Sequence, residues 1–113
     1  MPRFLLPFLF LVACAPGGAT MVVENRTGSA VSDIRISARE VEYRIPELKP
    51  GEVRAFSAKP RGESGVAISY VVDGRSVKVP EQGYFEGDPY YVVVIGISSE
   101  GATINTTIKT EKP

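Results

Sequence analysis

With 113 residues, 43% of them apolar, the chain has the length for one domain and enough greasy surface to give it a core. Thirteen basic residues cancel thirteen acidic ones, which excludes a summed field able to gather nucleic acid or an anionic bilayer. Histidine is absent and cysteine occurs once, so Ser-His and Cys-His nucleophile pairs and internal disulfides are excluded, and the core alone has to hold the fold.

In chain order, Met1-Pro2-Arg3 carries positive charge and Phe4 to Val12 is almost wholly apolar, the charged head and hydrophobic stretch of an export signal. This run of roughly ten residues is far short of the ~20 that a bilayer-spanning helix requires. Leu11-Val12-Ala13-Cys14 closes it. The four residues resemble the bacterial lipobox: aliphatic, small or aliphatic, small, then cysteine. The resemblance covers the first fourteen residues and implies three things. The Cys14 sulfur receives a diacylglyceryl group, a peptidase cuts before Cys14, and the freed amine is often acylated, palmitate being an expected chain. Residues 1–13 are then a lipoprotein signal, 14–20 a lipidated tether and 21–113 the folded domain. Ala15 stands where an aspartate would favour the inner membrane, so the resemblance implies the outer membrane, facing the periplasm, in a double-membraned cell. The alternative is an ordinary signal cut after Ala15, where Pro16 is unfavourable, or after Ala19.

Beyond Thr20 the apolar spacing is two, which predicts strands. Met21 to Glu24 is the first, ended by the turn-rich Asn25-Arg26-Thr27-Gly28-Ser29. Ile34, Ile36 and Ala38 alternate with Asp33, Arg35 and Ser37, and Val41, Tyr43 and Ile45 repeat the pattern against Glu42 and Arg44. Lys49-Pro50-Gly51-Glu52 suits a type II turn, because proline presets φ and glycine accepts the positive φ that follows. It reverses the chain into Val53 to Ala58, and Arg61 to Gly65 forms the next loop. Asp73-Gly74 suits a two-residue type I′ turn. Counting outward from it pairs Val72 with Arg75, Tyr70 with Val77 and Ile68 with Val79. Val92 to Ile97 is apolar on both faces and reads as a central strand, turned by Glu100-Gly101 into Thr103 to Thr110. About eight short strands and no credible helix predict an all-β, antiparallel two-sheet sandwich, similar to immunoglobulin-like or fibronectin-like domains, with a transthyretin-like sandwich or small barrel as runner-up.

Chemistry-bearing residues concentrate in Gly83-Tyr84-Phe85-Glu86-Gly87-Asp88-Pro89-Tyr90-Tyr91. Tyr84, Phe85, Tyr90 and Tyr91 could stack on a sugar or peptide. Glu86 and Asp88 could join loop carbonyls around a calcium ion, although two carboxylates fall short of an EF-hand ligand series. Hydrolysis by the same two carboxyls would need a cleft between them. The competing account has the aromatics covering the open end of the sandwich and the carboxylates solvated or bonded to turn amides. Arg35, Arg39, Arg44 and Arg54 would form a basic stripe if their strands adjoin, but the interleaved Asp33, Glu40, Glu42 and Glu52 predict a mixed-charge face instead. The acceptor patterns Asn25-Arg26-Thr27 and Asn105-Thr106-Thr107 read as coincidences beside a bacterial lipobox.

The functional expectation is a non-enzymatic envelope lipoprotein. It is held to a membrane through Cys14, without a cofactor or metal, and its sandwich serves a structural role or binds an envelope protein. The alternative is a module that binds a glycan, peptide or cation through the 84–91 loop.

Overall fold

A computed structural model of the chain describes residues 19–39, 41–59, 63–85 and 91–108. These hold eight strands: β1 (Ala19–Asn25), β2 (Val31–Ala38), β3 (Val41–Leu48), β4 (Val53–Ala58), β5 (Ser64–Val72), β6 (Arg75–Phe85), β7 (Tyr91–Ile97) and β8 (Ala102–Ile108). They form two four-stranded sheets, in the orders β4-β1-β7-β8 and β3-β2-β5-β6, packed face to face. The β-sandwich expected from the two-residue apolar spacing is therefore the fold of the chain.

The strand order refines that expectation. In the constant-type immunoglobulin order the first two strands adjoin in one sheet; here β1 and β2 lie in opposite sheets, joined by the 26–30 loop. One pair also departs from an all-antiparallel scheme, since β1 runs parallel to β7, with Thr20 beside Val92 and Val23 beside Ile95. Strand β7 is central in its sheet, as its apolar character on both faces requires.

The first strand opens earlier than the sequence suggests. Ala19 and Thr20, expected in the tether, pair with Ala58 and Ser57 of β4. Ala19, Met21 and Val23 are fully buried in alternation, so the inward-facing series extends one step upstream of Met21 and draws the backbone into the sheet with it.

Turn chemistry sets the connections. Gly51 has φ +79°, and the Glu52 N–H donates to the Lys49 carbonyl at 2.9 Å, the type II turn its Pro-Gly predicts. Asp73 and Gly74 both have positive φ, 52° and 75°, and the pairs Ile68–Val79, Tyr70–Val77 and Val72–Arg75 follow from that type I′ hairpin as counted. Further along, β6 gains one residue on β5 between Ile68 and Val66, and another between Val66 and Ser64. Gly83, at φ +78°, belongs to this bulged stretch. A further bulge opposes Asp33 and Ile34 of β2 to Tyr70 of β5. Asp33 takes a φ of 52° there, and the phase slip lets Val31 and Ile34, three apart, both face the core. Pro46 of β3 lies across from the bulge on an edge strand, where a missing N–H is tolerated.

Between the sheets Tyr70, Phe85, Met21, Ile34, Ile36, Leu48, Ile95 and Ile97 are the largest side chains to be fully buried. Each contributes on the order of 1.5–3 kcal/mol by leaving water. At one side the sandwich is closed by Tyr43 of β3 against Phe56 of β4, ring centroids 5.1 Å apart. At the other, the bulged end of β6 folds towards Ile104 and Thr106 of β8.

Candidate functional site

Of the residues singled out from the sequence, Cys14, Glu86, Asp88 and Tyr90 lie outside the described residues. Tyr84, Phe85 and Tyr91 lie within them, and the structure separates their roles. Gly83, Tyr84 and Phe85 belong to strand β6 rather than to a loop. Adjacent strand residues point to opposite faces, so Phe85 turns inward and is fully buried while Tyr84 turns outward and keeps 46% of its surface exposed. Phe85 is thus a core residue, and its place on a binding platform is corrected accordingly. Tyr91 opens β7, half-buried, with its ring 6.4 Å from that of Tyr84 in an edge-on arrangement.

These two tyrosines form one wall of a shallow groove of about 440 Å³ at the end of the sandwich where β1 begins. The rest is Gly83 of β6 and Ile104, Asn105, Thr106 and Ile108 of β8. None of the described lining residues is ionisable near neutral pH, so apolar and aromatic contact dominates among them. Gly83 is required for the wall: at φ +78° a side chain is strained, and a Cβ would sit 3.3 Å from Thr106 Oγ1. That oxygen is the one buried side-chain polar atom among the described residues without a hydrogen-bond partner. No cluster of three or more His, Cys, Asp or Glu side chains able to hold a metal ion occurs among the described residues.

The opposite end of the sandwich is organised by a residue that the sequence marked as part of a turn and of an acceptor pattern, and not as a core residue. Asn25 is fully buried. Its amide nitrogen donates to the carbonyls of Ser29 at 2.8 Å and Leu48 at 3.0 Å. Its side-chain oxygen accepts from the Thr27 N–H at 2.8 Å and the Thr27 hydroxyl at 2.7 Å. Its own N–H donates to the Glu52 carbonyl, and its carbonyl accepts from the Gly51 N–H. One side chain therefore ties the β1–β2 loop to the β3–β4 turn. An asparagine two residues before a threonine, at the end of an alternating strand, is the signal for such a local bond; the link to Leu48 is long-range and has no local signature. This burial also removes the Asn25 amide from reach as a glycan acceptor in the folded chain.

Charge is arranged as the alternation implied. Arg35 pairs with Asp33 at 3.4 Å and Arg44 with Glu42 at 2.9 Å, each two residues apart on one strand, and Arg54 pairs with Glu52 of the preceding turn at 3.4 Å. All are exposed pairs worth little in water, and they break up the stripe that Arg35 and Arg44, directly opposed across β2 and β3, would otherwise make. Arg39 donates instead to the Glu63 carbonyl at 2.9 Å. Among the described residues two ionisations move. The Lys49 N–H, donating to Glu52 at 2.8 Å, lowers the Glu52 carboxyl, with the Arg54 guanidinium adding to the effect. Burial raises the phenol of Tyr70, whose hydroxyl donates to the Ser98 carbonyl at 2.8 Å.

The four sheet edges differ. Strand β3 carries Pro46 and the charges of Glu42, Arg44 and Glu47; β4 has only six residues, one of them Arg54; β6 carries Pro80, Lys78 and two bulges. Each device discourages pairing with another chain. Strand β8, Ala-Thr-Ile-Asn-Thr-Thr-Ile, has none of them and stays in unbroken register with β7 from Ile97–Ala102 to Tyr91–Ile108.

No protein-family model matches the chain, and no curated protein is significantly similar to it. Among solved structures, the NMR structure of a protein from Eubacterium rectale is similar, with a TM-score of 0.57 and 19% identity over 86% of this chain and 94% of the other. At that identity the likeness concerns the fold alone.

Proposed function

We propose that the chain is the precursor of a lipid-anchored protein of the bacterial envelope, and that its β-sandwich is a non-enzymatic interaction module which accepts a partner strand along β8. The observation that carries the anchor is Leu11-Val12-Ala13-Cys14 at the close of a short apolar run that follows a positive head. Two acyl chains bury enough CH₂ groups, at ~0.8 kcal/mol each, to make attachment lasting. The β8 edge supports the second half of the reading. It is uncharged, free of proline, regular and rich in β-branched residues, so its outward backbone groups form a template for β-augmentation. The absence of histidine and of a second cysteine from the whole chain supports a non-catalytic role.

Cell fractionation tests the anchor. The wild type is expected in the membrane fraction, released by detergent and retained through a high-salt wash, and Cys14→Ser in the soluble fraction; identical partitioning of the two would reject it. Photo-crosslinking in cells tests the edge. A crosslinker replacing Thr103 on β8 is expected to capture an envelope protein, and one replacing Ser76 on β6 is not. Equal capture from both positions would move the partner off β8. Removal of Phe85 weakens the alternative of a ligand platform at 84–91, since only Tyr84 and Tyr91 of the described aromatics are left to line it.

A further inference from the structure

We infer that the end of the sandwich bearing Ala19, Tyr84, Tyr91 and Ile108 faces the bilayer, and that Tyr84 and Ile108 rest in its headgroup region. The inference rests on the lipid anchor proposed above and adds the surface that meets the lipid. Its first support is chain length. Ala19, in β1, is five residues after Cys14, and five residues reach at most about 18 Å even when fully extended. The second is the position of Ala19 in the sheet. Thr20 lies beside Val92, so Ala19 lies beside Tyr91, and Tyr91 pairs with Ile108. The rung Ala58-Ala19-Tyr91-Ile108 is therefore the edge of the sheet closest along the chain to the lipid-bearing sulfur, with Ile108 two strands, about 10 Å, from Ala19. The opposite end, with Asn25, Gly51 and the Asp73-Gly74 turn, lies about 20 Å further along the strands.

The third support is what this end exposes. Three large apolar side chains are exposed among the described residues: Val53, Tyr84 and Ile108. Tyr84 and Ile108 share the groove at the Ala19 end, whose described lining residues carry no charge at neutral pH. Val53, paired with Glu24, is alone at the far end. An apolar body with a polar hydroxyl suits tyrosine to the membrane interface, and a short tether to a lipid holds this end against that interface. Strand β8 then stands with its edge running away from the bilayer, open to a partner arriving from the aqueous side.

Ile108 and Val53 make a matched pair, since they belong to the same sheet, lie at opposite ends and are 55% and 52% exposed. The test uses the full chain, exported and purified from membranes, its acylation checked by intact mass, and reconstituted into phosphatidylethanolamine–phosphatidylglycerol vesicles. A spin label is placed through Ile108→Cys or Val53→Cys; with Cys14 consumed as a thioether, the introduced thiol is the only one. The label at 108 is expected to collide several-fold less with a water-soluble nickel chelate, and more with oxygen, than the label at 53. If the protein is acylated and the two labels behave alike, the orientation is overturned and the anchor stands. If the protein carries no acyl group, the anchor is overturned and the orientation with it.

Discussion

The two ends of this sandwich are closed by different physics. At the end reached first along the chain, closure is apolar: Phe85 is buried as a plug, with Tyr91 half-buried beside it and Tyr84 and Ile108 on the rim. At the other end closure is polar, because buried Asn25 knits two connections together with four side-chain hydrogen bonds and two glycine-containing turns complete the edge. The rim made by Tyr84 and Ile108 tolerates contact with a greasy surface at little cost, while Arg39, Lys59 and Glu63 at the same end are exposed and charged. The polar end needs every one of its partners, since a buried amide or carbonyl left unpaired costs about 1–3 kcal/mol.

Substitutions at the two ends sharpen this contrast. Phe85→Ala is expected to have the largest effect, a loss of about 3–5 kcal/mol in urea unfolding, from lost burial plus the cavity left behind. Ile108→Ser on the rim of the same end should stay within about 0.5 kcal/mol, because that side chain is already half in water. Equal losses from the two would erase the distinction between plug and rim. Next comes Asn25→Ala. It strands the carbonyl of Leu48 among others, and a loss of about 2–3 kcal/mol is expected; a loss below that of an exposed turn residue would show that the network is ornamental. Gly74→Ala in the type I′ turn should cost about 1–2 kcal/mol, the penalty of a Cβ in the left-handed region.

The smallest effect is also the one with a pH signature. The Glu52 carboxyl is lowered by the Lys49 N–H, so its folded form releases a proton more readily than its unfolded form. The resulting stabilisation is present above the ordinary carboxyl range and is lost as pH falls through the folded value. Glu52→Gln should therefore be slightly less stable than wild type at pH 7, and the difference should close in acid. A gap that widened on acidification would contradict the assigned cause.

How much of this was legible in the sequence depended on how local the cause was. Pro50-Gly51 and Asp73-Gly74 carry their turn types in two residues, and the hairpin register from Ile68 to Val79 follows by counting. The pairing of Arg35, Arg44 and Arg54 with acids two positions away is likewise written in the alternation. The parallel contact of β1 with β7 joins segments some seventy residues apart, and nothing within either strand names its partner. The bulge at Asp33 left a trace in the phase slip between Val31 and Ile34, but that slip reads equally as a loose end of a strand. At the candidate site, alternation along β6 decides that Phe85 points in and Tyr84 out. The sequence placed both in a loop because the two bulges that extend β6 depend on its partner β5.

Whether a lipid on Cys14 holds the sandwich to a membrane is decided by the intact mass of the mature protein extracted from membranes. The mature chain is expected to begin at Cys14 and to carry the added mass of a diacylglyceryl group, with or without an acyl chain on the new amine. A mature chain that begins at any other residue, or at Cys14 with a free thiol, would contradict the anchor.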